Sequence, residues 1–226
     1  MQCSFFFSLI IIYKMSNLKK SKLREDTGDL LKASYLPQKD ASAKMAKLGY
    51  KYDPQLSSMA SKVYVAPNGK PVITFRGTKT VKDIIDDGLI GLGLGKYGFK
   101  YKGAQRLAKK VEEKYKKPAD VVGHSMAGWL AENSGNHGNI ITYNGASGIG
   151  DINKKKSDRQ LDISTKGDIV SALGITQKAN KEVIENRFKS KDPFKNALNS
   201  HNLDNLFGPN KAEDQTESIF PEAKSS

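Results

Sequence analysis

The stretch from Ala119 to Glu132 constrains this chain more than any other. Ala119-Asp120-Val121-Val122 reads as a short strand, and Trp129-Leu130-Ala131-Glu132 opens an amphipathic helix. Between them lies Gly123-His124-Ser125-Met126-Ala127-Gly128, too brief for a loop of any length. A strand that turns into a helix over a glycine-flanked serine is the layout of a nucleophile elbow. The tight turn raises the hydroxyl above the sheet edge, and the first N–H groups of the helix face any negative charge developing there. Glycine and serine also populate ordinary turns, so the flanking strand and helix, not the hexapeptide itself, favour the chemical reading.

The rest of the chain supplies the elements that such a junction needs. Lys62–Ala66 alternates like a strand, Pro67–Lys70 is a turn, and Val72–Phe75 is a second strand, so the three form a hairpin. Helices are expected over Ala41–Leu48, stopped by Gly49, over Thr80–Leu89, and over Gly103–Lys117, where Ala104, Leu107, Ala108 and Val111 share one face. Further strands are expected over Asn139–Tyr143, Gln160–Ser164 and Lys166–Val170, and the charged stretch Lys181–Phe194 reads as helical. Strands alternating with helices give the α/β class, with a mostly parallel central sheet covered by helices and an N-terminal hairpin. One domain over residues 40–207 is expected, with a flexible or loosely helical segment over 1–39 and a disordered tail over 208–226.

A serine hydroxyl becomes a nucleophile only when a base removes its proton, and a buried carboxylate best orients that base. The chain holds 3 histidines. His124 adjoins the serine and cannot easily fold back on it, and His137 precedes every candidate acid strand, which leaves His201 as the base. Asp168 is the preferred acid, because Gly167 before it and Ile169-Val170 after it suggest a tight turn at a strand end. Asp162, Asp151 and Asp158 compete with it. Val72-Ile73-Thr74-Phe75-Arg76-Gly77-Thr78 is a strand ending where Thr78 can offer its N–H and hydroxyl to an oxyanion.

Composition excludes several alternatives. A single cysteine, Cys3, rules out an internal disulfide framework and a cysteine-based zinc site, and no metal or cofactor is expected. The net charge of +13 favours anionic partners, but no zinc-finger spacing, RNA-recognition motif or basic zipper accompanies it, so no specific nucleic-acid reading is expected. The apolar run Phe5–Tyr13 is shorter than the roughly 20 residues of a spanning helix. It lacks a preceding positive charge and a following small-residue cleavage site, and Met15 opens a polar segment suited to a true N-terminus. Residues 1–14 are therefore expected to fall outside the mature protein, with a membrane tether as the alternative.

Phe75-Arg76-Gly77-Thr78, Asp83-Ile84-Ile85-Asp86-Asp87, Lys102-Gly103-Ala104, Gly123-His124-Ser125-Met126-Ala127-Gly128 and Thr165-Lys166-Gly167-Asp168-Ile169-Val170 stand in an order and spacing that resemble the class 3 lipases, the fungal triacylglycerol-lipase type of α/β hydrolase. The resemblance implies Ser125 as nucleophile, Asp168 as acid, His201 as base, and Thr78 with the N–H of Met126 as the oxyanion hole. It implies a lid over about Thr80–Gly98, and a lipid ester at a membrane or micelle surface as substrate. The positive charge turns that expectation towards phospholipid or another anionic lipid over neutral acylglycerol. Ala127 replaces the family's usual glycine, Lys102 its usual histidine, and the Asp168-to-His201 segment is short. The absence of the disulfides of secreted family members implies an intracellular or non-oxidising setting, and with no convincing signal peptide the expected location is cytoplasmic or virion-associated and membrane-peripheral. A lipase-like membrane-binding or structural protein with catalysis lost is the competing expectation.

Overall fold

The computed structural model describes residues 18–77, 98–135, 138–146, 159–172 and 180–207. Seven strands form one sheet in sequence order: β1 (Lys51–Tyr52), β2 (Ser61–Val65), β3 (Pro71–Phe75), β4 (Asp120–His124), β5 (Ile140–Tyr143), β6 (Gln160–Thr165) and β7 (Asn180–Ile184). The first three pair antiparallel, and every later pair, from β3–β4 to β6–β7, is parallel. The hairpin is as expected, with Val63 opposite Ile73 and the Gly69 N–H closing its turn on the Ala66 carbonyl at 2.8 Å. The mixed α/β architecture with a mostly parallel sheet is therefore the one the sequence implies.

The period-2 alternation of the strands divides the core in two. Val63, Ile73, Phe75, Val121 and Ile140 face helices α3 (Gly98–Tyr115) and α4 (Met126–Asn133), where Ala104, Ala108, Val111 and Leu130 meet them. Tyr64, Val72, Val122, Ile141, Tyr143, Leu161 and Ile163 face the opposite way, onto helices α1 (Lys22–Tyr35) and α2 (Gln38–Ala46). Both faces are covered, as a parallel sheet requires.

Three expectations need correction. Residues 22–35 form a full helix, capped by Ser21, whose Leu30, Leu31 and Ala33 are wholly buried, so the packed body begins well before residue 40. Asn180–Ile184 is an edge strand and Pro193–Ser200 a short helix, α6, where one charged helix over 181–194 was expected. The strand expected over 166–170 is instead a turn, with Gly167 at φ +88°, leading into one helical turn, α5 (Ile169–Ala172). The helix expected over 80–89, the proposed lid, the segment 1–14 and the tail over 208–226 lie outside the described residues.

Candidate active site

Ser125 sits between β4 and α4 with φ +58° and ψ −129°, a backbone conformation that costs a non-glycine residue about 1–3 kcal/mol. Close packing enforces the turn. A Cβ on Gly123 would lie 2.2 Å from the Ala127 carbonyl oxygen, so only glycine lets α4 fold back against its own strand. Ala127, in place of the usual glycine, is wholly buried in the core beneath α4. The Ser125 N–H donates to the Tyr143 carbonyl at 3.0 Å, and its carbonyl accepts from the N–H groups of Gly128 and Ala146 at 2.9 and 3.0 Å. Its hydroxyl caps nothing, and the Met126 N–H is the first backbone donor of α4 beyond it.

Asp168 follows β6 on the Gly167 turn, and His201 follows α6, between it and a 3-10 turn over Leu203–Leu206. The structure joins them: His201 Nδ1 and Asp168 Oδ1 lie 2.6 Å apart, with both side chains fully buried. A carboxylate only accepts, so Nδ1 carries the proton and the Nε2 lone pair is left available. The other carboxylate oxygen, Oδ2, accepts from the Ser171 N–H at 2.7 Å, which fixes the acid at the start of α5. Both Ser125 Oγ and His201 Nε2 are buried, and neither makes a hydrogen bond with a described residue. Asp162 lies elsewhere, accepting from Thr142 and Gln160 at 2.7 and 2.8 Å. Thr78, His137, Asp151 and Asp158 lie outside the described residues.

The residues that sequence reasoning passed over are those that hold these groups. The His124 ring lies tilted against the His201 ring, centroids 4.7 Å apart. Its Nε2–H donates to the His201 carbonyl at 3.2 Å, and its Nδ1 accepts from the Tyr35 hydroxyl of α1 at 3.0 Å. Burial, followed by the neighbouring His201, lowers its pKa well below the usual 6.5, so it is neutral in this chain of contacts. Tyr143 donates to the Asn202 carbonyl at 2.9 Å, and Asn144 Nδ2 donates to the Ser200 carbonyl at 2.9 Å. The segment carrying His201 is thus clamped on either side of the imidazole. The positive φ of Asn144, +44°, lies in a region where asparagine is enriched, but its long-range partners leave no local pattern.

Among the described residues no group of three or more His, Cys, Asp or Glu side chains could hold a metal, and no helix is long and apolar enough to cross a membrane. A mostly parallel sheet whose central strand breaks at a strained serine, with a buried histidine–carboxylate pair beside it, is the frame of an α/β-hydrolase-like fold of the lipase and phospholipase class. More particularly, the model of the Tle-like phospholipase domain matches residues 32–217, and the chain belongs to that family. Comparison with curated proteins and with solved structures gave no match. The family match supports a lipid-ester hydrolase without singling out the class 3 type.

Proposed function

We propose that this protein hydrolyses a carboxylic ester of a lipid, foremost a phospholipid, with Ser125 as nucleophile, His201 as base and Asp168 as the orienting acid. The observation that carries this reading is the buried 2.6 Å contact between His201 Nδ1 and Asp168 Oδ1, with the opposite ring nitrogen making no hydrogen bond with a described residue and the ring resting on His124, next to Ser125. In the reaction, Nε2 takes the Ser125 proton as Oγ bonds to the ester carbon. The oxyanion is met by the N–H of Met126 and, as the class 3 resemblance implies, by Thr78. Collapse breaks the C–O bond, and the imidazolium returns the proton to the leaving alkoxide. Water, activated by the same nitrogen, then releases the fatty acid from the acyl-serine.

A fluorophosphonate should label Ser125, and Ser125→Ala should lose both the label and hydrolysis of a short-chain nitrophenyl ester while circular dichroism is unchanged. Equal activity in parent and variant would refute the assignment. The second reading is a lipase-like membrane-binding protein without turnover. It is favoured by one observation, that Ser125 Oγ forms no hydrogen bond with His201 or another described residue. A parent protein inert to the fluorophosphonate would choose that reading.

A further inference from the structure

We infer that Lys62 and Arg76 form a phosphate-binding pair at the rim of the site, so that the enzyme selects a glycerophospholipid over an uncharged acylglycerol. This rests on the ester-hydrolase reading. The two cations are brought together by the hairpin: Lys62 lies opposite Thr74, and the Arg76 N–H extends the ladder to the Ala60 carbonyl at 2.9 Å. Lys62 is 0% exposed, yet its ammonium has one hydrogen bond among the described residues, to the Ser58 carbonyl at 2.9 Å. Neither Lys62 nor Arg76 pairs with a described carboxylate. Lys32, also buried, shows the usual arrangement, paired with Asp204. A buried ammonium beside a guanidinium, with no acid among the described residues to answer them, is electrostatically incomplete, and an anion completes it. Burial, and after it the Arg76 charge, lower the Lys62 pKa.

The pair adjoins the nucleophile. Arg76 precedes Gly77, whose Cα lies so near the elbow that a Cβ there would stand 2.7 Å from the His124 carbonyl and 3.6 Å from Ser125 Cβ. The guanidinium carbon lies 5.8 Å from the centre of the Tyr35 ring, whose hydroxyl meets His124. Arg76 and Ser58 also enter the wall of a pocket of about 380 Å³, whose apolar lining includes Leu56, Phe75, Leu107 and Leu130. Met59, in the loop beside it, leaves 58% of its surface exposed, an apolar side chain of a kind that suits a lipid surface. Arg76 thus borders both the elbow and the apolar pocket, an arrangement that matches a phosphate with an ester and an acyl chain beside it. Arginine's planar fork and the lysine point charge together suit phosphate oxygens.

Two arms test this. In the first, Arg76→Gln and Lys62→Met are assayed on dihexanoyl phosphatidylglycerol and on dihexanoylglycerol. The ratio of kcat/KM for the phospholipid to that for the neutral ester should fall about tenfold, and Arg76→Lys should recover part of it. An unchanged ratio, with both substrates slowed alike or neither, would overturn the inference. In the second arm, calorimetry follows binding of a non-hydrolysable diether phosphatidylglycerol, and of inorganic phosphate, to the same proteins. Both variants should weaken ether-lipid binding about tenfold. Inorganic phosphate bound as tightly as the lipid would mean a free-phosphate site and would equally overturn it. A parent that cleaves neither ester defeats the hydrolase reading alone, and the binding arm still decides the pair. If Lys62→Met fails to fold, Arg76→Gln decides.

Discussion

Tyr35 illustrates how far from the reacting atoms this site is built. Its hydroxyl donates to His124 Nδ1, and His124 in turn donates to the His201 carbonyl, so one phenol on α1 helps fix the pose of the proposed base. Tyr35→Phe keeps the ring and deletes the donor. We expect kcat to fall while KM stays nearly constant, with a stability loss of about 1 kcal/mol. A drop in stability with kcat preserved would make Tyr35 a packing residue only. His124 itself gives a pH signature. Its folded pKa lies well below the usual 6.5, so below that pH the unfolded chain binds a proton that the native state refuses. Its contribution to stability is present above pH 6.5 and is lost as the pH falls below it. The urea midpoint should therefore drop between pH 7 and pH 5, and His124→Gln should flatten that part of the drop.

At the scale of elements, what the sequence revealed followed from local chemistry. The elbow, the hairpin and α3 are legible because glycine turns and 3.6- or 2-residue periods are written in adjacent letters. Helix α1 is not, because its buried side includes Asp26, Thr27, Lys32 and Ser34, whose polarity imitates a solvated segment. Their partners are remote: Tyr50 donates to Asp26 at 3.0 Å, and Asp204 pairs with Lys32. Strand β7 was misread because it lies at the sheet edge, where Lys181, Glu182 and Val183 need no burial. The acid and base could be proposed from chain order, but the clamp of Tyr143 and Asn144 could not, since it depends on contacts between distant strands and loops.

The loop between β1 and β2 depends on Asp53 in the same way. Burial would raise its pKa, but Lys114, Tyr115 and the N–H groups of Gln55 and Leu56 together outweigh it and hold the carboxyl below its usual 3.8. That stabilisation is present above pH 3.8 and is lost as acid protonates the group. Asp53→Asn should cost about 1–3 kcal/mol in urea unfolding, because Lys114 and Tyr115 lose their acceptor. The same variant should loosen the pocket wall that carries Leu56 and Ser58.

Over the whole molecule, the charge of +13 acts at longer range than any of these contacts. Binding to anionic vesicles should weaken steeply between 0.05 and 0.5 M salt, the screening length shrinking from about 14 to about 4 Å. Neutral vesicles should show little of that dependence. Insensitivity of anionic-vesicle binding to salt would assign the attraction to apolar contacts instead. The order of the strands has a further consequence. Because the sheet adds its members one after another along the chain, a ribosome delivers the alcohol of Ser125 ahead of the imidazole of His201. Phe207 packs on Gly28 and Asp204 grips Lys32, so α1 also waits for these late residues to cover it. A growing polypeptide therefore carries Ser125 without its proposed base until the segment from His201 to Phe207 has docked, so the proposed activity cannot precede that step.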